Sequence, residues 1–342
     1  MSGRYNMSQM VIDVDNLKTY LYLASGVVKA VDGVSFRIDS GKTLGIVGES
    51  GSGKSMTASS IIRLLPRNKG KIVDGKINFN GKDVLAFNKN ELMDFRGKDV
   101  AMIFQDPMSS LDPVFKVGEQ MIEMICAHQD VSKKEAENMA IDALRKEGIP
   151  NPDSRMDSYP YELSGGMCQR VIIAMAICKE PKLVIADEPT TALDVTVQAQ
   201  VLKLLKEMQN KLDTAILLIT HNLGIVWEMC DNVMVMYAGK TVEYATTTDL
   251  YSEPLHPYTW GLLESIPKLS DTNKSRLITI PGTPPDLRLT GQCCNFYNRC
   301  PYVQDICKED VPPLIEVKEG HFVACHRQTK FERLERGGVN ND

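Results

Sequence analysis

The chain has 342 residues, 43% hydrophobic and 24% charged, with a formal net charge of -5. This is ordinary globular composition with apolar material for a large core plus a smaller second body, and its acidic balance argues against broad nucleic-acid binding. No apolar run reaches the length of a membrane span and Met1 to Met7 form no hydrophobic signal region, so the chain is expected to stay in the cytoplasm, where its nine cysteines are not a disulfide framework.

Strand patterns come first: 11–14, 20–23, 27–31 and 34–38, broken by Gly26, Gly33 and Gly41, predict a mostly antiparallel sheet. The apolar run 43–47 leads into Gly48-Glu49-Ser50-Gly51-Ser52-Gly53-Lys54-Ser55 and then a helical stretch, 56–65. That is the strand-to-helix setting of a phosphate-binding P-loop. Glycines let successive N–H groups point at phosphate oxygens, Lys54 reaches the β- and γ-phosphates, and the Ser55 hydroxyl joins Mg²⁺. Asn80-Gly81 marks a hairpin in 77–84, and 100–104 reads as a short strand stopped at Gln105-Asp106-Pro107.

The next segment is mainly helical. Ser132 with Glu135 forms a capping box, Ala136, Met139, Ala140, Ala143 and Leu144 share one face, and Gly148 stops the helix. Ser164 begins a buried helix that runs to Cys178. Strand 183–186 delivers Asp187 and Glu188 to its C-terminal end, the edge where open α/β sheets bind ligands. A helix over 195–212 and a strand over 215–220 follow, the strand ending on His221. A hairpin over 233–244 closes this region, and the proline-rich chain from Pro254 onward reads by composition as a linker.

The set Gly48 to Ser55, Gln105, Leu163-Ser164-Gly165-Gly166, Asp187-Glu188, Ala192-Leu193-Asp194 and His221 resembles, in family order, the motif series of ABC-transporter ATP-binding subunits. Leu255-His256-Pro257-Tyr258-Thr259, Pro281-Gly282-Thr283-Pro284-Pro285 and the Cys-rich tail are similar to the C-terminal extension of oligopeptide and dipeptide importers. The resemblance implies an α/β fold: a P-loop ABC ATPase domain over 7–253, with a RecA-like core sheet, an antiparallel β-subdomain and a helical signature subdomain, then a small Cys-rich extension over 254–335. It implies an ATPase at the cytoplasmic face of the membrane, peripheral to two permease subunits, paired with a second, paralogous ATPase and served indirectly by an external solute-binding protein. No nucleic-acid partner is expected. The rival readings are a soluble ABC ATPase with a non-transport role and an importer of nickel or an oligosaccharide.

Phosphoryl transfer is catalysed mainly by positioning and electrostatics, and the expected roles follow from that. Asp187, Ser55 and Gln105 serve Mg²⁺, and Glu188 acts as general base or polarises the attacking water. His221 contacts the γ-phosphate. The resemblance places Ser164, Gly165, Gly166 and Asp194 against nucleotide bound by the second subunit. The family's adenine-stacking aromatic aligns with Leu21, which lies between Tyr20 and Tyr22, and Tyr22 is the expected residue. Cys168 departs from the arginine or glutamine common after the signature glycines. The resembling tails carry a C-x-F-x-x-R-C-P pattern, which selects Cys294 over Cys293; Cys294, Cys300, Cys307 and Cys325 then offer four thiolates that suit an iron-sulfur cluster or a structural zinc, and the resemblance implies a [4Fe-4S] cluster. The tail is expected to be separable from the P-loop, so that ATP binding survives its loosening.

Overall fold

The computed structural model describes residues 9–106, 110–190, 195–266, 280–331 and 334. In chain order its first strands are β1 (Met10–Leu23), β2 (Gly26–Asp39) and β3 (Thr43–Val47), followed by α1 (Lys54–Ile61), β4 (Gly70–Phe79), β5 (Lys82–Asp83), α2 (Lys89–Asp94) and β6 (Val100–Ile103). Helices α3 (Val117–His128), α4 (Lys133–Lys146), α5 (Pro152–Arg155) and α6 (Gly165–Ile177) come next, then β7 (Leu183–Asp187), α7 (Val195–Leu212) and β8 (Ala215–Ile219). After α8 (Leu223–Met229), β9 (Asn232–Tyr237), β10 (Lys240–Thr246), α9 (Thr247–Ser252) and α10 (Pro257–Glu264), the tail adds α11 (Ile306–Glu309), β11 (Ile315–Lys318), β12 (His321–Val323) and α12 (His326–Thr329).

Contacts divide the chain into two units, one comprising Met1–Ile12, Arg37–Thr43 and Asn78–Ile219, the other Asp13–Phe36, Leu44–Ile77 and Thr220–Asp342. In the first, β6, β7 and β8 pair in parallel, with Val100 opposite Leu183 and Leu183 opposite Ala215. Every residue of β7 and β8 is buried, which is why both read as unbroken apolar runs rather than alternating ones. Helix α3 packs on α4 and α4 on α6. Their inward residues, Met121 and Ile125, then Ala136, Ala140 and Leu144, then Val171 and Ile173, are nearly or fully inaccessible. The capping box at α4 is formed as its spacing predicts: Glu135 N–H donates to Ser132 Oγ at 3.3 Å and Ser132 N–H to Glu135 Oε2 at 2.8 Å.

In the second unit β3 runs parallel to β9, with Leu44 opposite Asn232, while β10 returns antiparallel. The tail then extends this sheet: β12 pairs antiparallel with β10 and β11 with β12. Glu243, fully buried on β10, accepts from the N–H groups of Leu255 and His256 at 2.7 and 2.8 Å and lies 2.9 Å from His321 Nε2. One carboxylate thus satisfies the entry to α10 and anchors the tail strand. Tyr237, Tyr258 and Phe296 make a three-ring cluster with centroids 4.7 to 5.4 Å apart.

Two expectations change. The four short opening strands are two long ones, because Asn16, at φ 47, and Gly33, at φ 84, turn the backbone locally without ending the strands. The segment from Pro254 is no linker: His256 caps α10 by accepting from Tyr258 N–H at 3.0 Å, and Pro257 starts that helix where its missing N–H costs nothing.

Candidate nucleotide site

The P-loop is built as its glycines require. Gly48, Gly51 and Gly53 have φ of 151, 77 and 105°, a region that costs a side-chain-bearing residue about 1–2 kcal/mol. A Cβ on Gly48 would lie 2.2 Å from the Met236 carbonyl oxygen, and one on Gly53 2.2 Å from that of Ala30, so glycine is also the only residue that fits. Lys54, 6% exposed, donates through Nζ to the carbonyls of Gly48 at 2.7 Å and Glu49 at 3.0 Å, which stretches the ammonium back over the loop it closes. Ser52 Oγ is buried with no hydrogen-bond partner, an unmet polar atom inside the cradle. Gly53 also caps α1, whose first turn carries no acidic side chain to compete with an anion. Glycine geometry, an ammonium and an unmatched hydroxyl together fit a nucleotide triphosphate. Ser55, the expected Mg²⁺ ligand, is exposed at the second residue of α1. The neighbouring Ser50 and Gly51 are exposed as well.

Glu49 reaches partners well outside the loop. Its N–H donates to Tyr258 Oη at 2.8 Å, and its carboxylate receives Arg299 in two bonds, Nη1 to Oε2 at 2.6 Å and Nη2 to Oε1 at 3.0 Å. Arg299 is held in turn by the carbonyls of Pro281 and Ile280 and by Tyr237 Oη, and hydrogen bonding to Glu49 raises its pKa further. The tail and the P-loop are therefore joined by side-chain hydrogen bonds. No local sequence pattern links positions 49 and 299.

The first unit carries the expected carboxylates, Asp187 and Glu188. Asp187, 6% exposed, is the last residue of β7. Glu188 sits immediately beyond it at φ 48, a left-handed backbone held by its N–H to the Ile219 carbonyl at 2.8 Å. Gln105 Nε2 donates to Glu188 Oε2 at 3.0 Å, so two of the expected catalytic residues meet directly. Ser164 caps α6 by accepting from Met167 N–H at 3.3 Å, and Gly165 beside it is exposed with open space where a Cβ would be. The signature is thus presented to solvent at a helix N-terminus. Cys168 turns the other way: fully buried, its Sγ reaches the Pro160 carbonyl at 3.4 Å, so the departure at this position is a core residue and does not alter the presented face.

His221, in the second unit, is exposed just after the end of β8. Tyr22 is exposed with Lys71 Nζ 5.4 Å from its ring centroid, whereas Tyr20 is committed to Asp32 through a 2.8 Å hydrogen bond. Asp194 lies outside the described residues.

The tail cysteines are free thiols. Burial pushes Cys294 and Cys300 up to about 12 and Cys325 up to about 11, and Cys307 adds to the rise at all three. Cys294 N–H also donates to the Cys307 carbonyl at 3.0 Å. Among the described residues, however, no group of three or more His, Cys, Asp or Glu is arranged to hold a metal ion, so neither the iron-sulfur nor the zinc expectation finds a formed site.

The ABC transporter family profile matches residues 31–191, and that of the oligopeptide/dipeptide transporter C-terminal region matches residues 242–307. A probable peptide ABC transporter ATP-binding protein of Sinorhizobium fredii is 47% identical over 327 residues, covering 96% of this chain and 98% of the relative. The oligopeptide transport ATP-binding protein OppD of Bacillus subtilis is 48% identical, with 92% of this chain and 87% of the relative covered, and the dipeptide transport protein DppD of the same organism is 46% identical, with 98% and 99% covered. The ATP-binding cassette MJ0796, solved with ADP and Pi, shares the fold at a TM-score of 0.62 and 23% identity over 69% of this chain and 98% of its own. The cbiO1 subunit from Clostridium perfringens matches at a TM-score of 0.60 and 29% identity over 72% and 92%. The chain belongs to the family of ABC transporter ATP-binding subunits, of the peptide transporter type with the oligopeptide/dipeptide C-terminal region, and is an ATPase that binds MgATP.

Proposed function

We propose that this chain hydrolyses MgATP to power import of oligopeptides or dipeptides through two membrane-spanning permease subunits, working beside a second ATPase subunit and supplied by an external solute-binding protein. The observation that carries the peptide reading is the tail: residues 242–307 match the C-terminal region of oligopeptide and dipeptide transporters, and the relatives named for those solutes align over nearly the whole chain. Among the described residues no helix is long and apolar enough to cross a membrane. The proposed location is the cytoplasmic face of the membrane, held there by those permeases.

In this reading Lys54 and the N–H groups of the glycine loop, residues 48–53, compensate the phosphate charge, and Ser55, Asp187 and Gln105 order Mg²⁺. Glu188 takes the proton of the attacking water, with Gln105 steering its carboxylate through their hydrogen bond, and His221 assists at the γ-phosphate. Ser164, Gly165, Gly166 and Asp194 serve nucleotide held by the second subunit, and Tyr22 stacks on adenine. The exposed, capped N-terminus of α6 supports the first part of that assignment. Cys294, Cys300, Cys307 and Cys325 are proposed as ligands of a [4Fe-4S] cluster, with zinc as the alternative. The Cys294 N–H to Cys307 carbonyl bond, which brings two of the four together, supports the ligand set. Such a group would cross-link a tail that has few elements of its own.

The test is fractionation: the chain should sediment with membranes when the two permeases are coexpressed and stay in the supernatant without them. Equal partition in both conditions would favour a soluble ABC ATPase instead.

A further inference from the structure

We propose that Arg299 of the C-terminal extension is a positioning residue for nucleotide binding, acting through Glu49 so that the extension sets the affinity of the P-loop for MgATP; this rests on the nucleotide reading above. Glu49 is held at both ends by the extension, its N–H by Tyr258 Oη and its carboxylate by the two-pronged Arg299 pair. Its carbonyl is one of the two that seat Lys54. The path from Arg299 to the phosphate-binding ammonium is thus one residue long.

Burial and charge make this more than a surface pair. The Arg299 side chain is 3% exposed and the Glu49 side chain 30%, so the pair is screened far less than an exposed one. Glu49 also brings a negative charge to a loop whose task is to hold a polyanion. Arg299 neutralises it, and the backbone carbonyls of Ile280 and Pro281 keep the guanidinium on station. Without Arg299 the carboxylate repels the incoming phosphates and the loop loses a strut. Arg299 directly precedes Cys300, so a disturbance of the cysteine cluster reaches the loop through the same side chain.

The experiment measures MgATP affinity of the full-length chain by displacement of a fluorescent ATP analogue. Arg299→Gln should weaken binding by about tenfold or more, the factor expected when one partner of a buried charge pair is removed. Adding Glu49→Gln to Arg299→Gln should recover at least about threefold of that loss, because the repelling charge is gone. Urea denaturation of the same variants is the control: a merely structural arginine would lower stability without lowering the MgATP affinity of the folded protein. Tyr258→Phe, which keeps the ring packing and removes only the acceptor for Glu49 N–H, should weaken binding by about fivefold and covers the case in which Arg299→Gln does not fold. Wild-type affinity in Arg299→Gln, no recovery in the double variant, or wild-type affinity in Tyr258→Phe would overturn the proposal. Lys54→Ala separates the two levels: if it too binds normally, the nucleotide assignment itself fails, whereas its loss of binding beside an unaffected Arg299→Gln refutes only the brace.

Discussion

Glu147 stands where a carboxylate is least at home. It caps the C-terminal end of α4, 6% exposed, and its Oε2 has no hydrogen-bond partner. Burial pushes its pKa up from 4.5 to about 7, with Glu207 adding to the rise and Arg170 opposing it, and the negative end of the helix dipole acts in the same direction as burial. Because the folded value is raised, the stability associated with the protonated form is complete below pH 4.5 and is lost as the pH rises through 7. A move from 4.5 to about 7 corresponds to about 3 kcal/mol at its limit. Glu147→Gln removes the charge while keeping the shape. Urea denaturation at pH 5 and pH 8 should therefore show the variant near wild type at the lower pH and more stable by about 2–3 kcal/mol at the higher. The same stability difference at both pH values would refute the burial argument.

Glu188→Gln should leave MgATP binding intact and lower turnover by about a hundredfold or more, since proton acceptance is lost while shape is kept; near-normal hydrolysis in a phosphate-release assay would remove Glu188 from its role. Gly53→Ala should destabilise the fold by about 2 kcal/mol more than Gly51→Ala, because the first would overlap the Ala30 carbonyl and the second has open space at its Cβ; equal melting curves would contradict that geometry. Protein purified without oxygen should contain iron and sulfide and lose both when Cys294, Cys300, Cys307 or Cys325 becomes serine, but not when Cys293 does. Zinc in place of iron, with the same cysteine dependence, would select the alternative metal, and loss of metal on removing Cys293 would show the ligand register to be wrong by one residue.

Local rules made much of this molecule readable. Spacing alone located the P-loop, the Ser132 capping box and the strands that end at Asp187 and just before His221, because each depends on residues within a few positions of one another. Glycine at position 33 signals a turn in sequence, and only pairing with neighbouring strands shows that the chain carries on through it and through Asn16. The tail was least legible. Strands of 4 and 3 residues, such as β11 and β12, have too little pattern to be seen and exist because β10 offers an edge to pair with. Arg299 and Glu49, 250 positions apart, illustrate the same limit: a tertiary ion pair leaves no periodic trace. Cys168 shows the reverse, a residue that looked like a departure in the signature and proves to belong to the core.

The most direct test of the account is ATP hydrolysis coupled to uptake. The chain, its partner ATPase and the two permeases would be reconstituted in lipid vesicles, with the solute-binding protein and labelled peptides supplied on the face opposite the ATPases. The account predicts that peptide-loaded binding protein stimulates phosphate release and drives peptide across the bilayer, and that both are abolished by Lys54→Ala. Hydrolysis indifferent to peptide, or uptake that persists in Lys54→Ala, would contradict it.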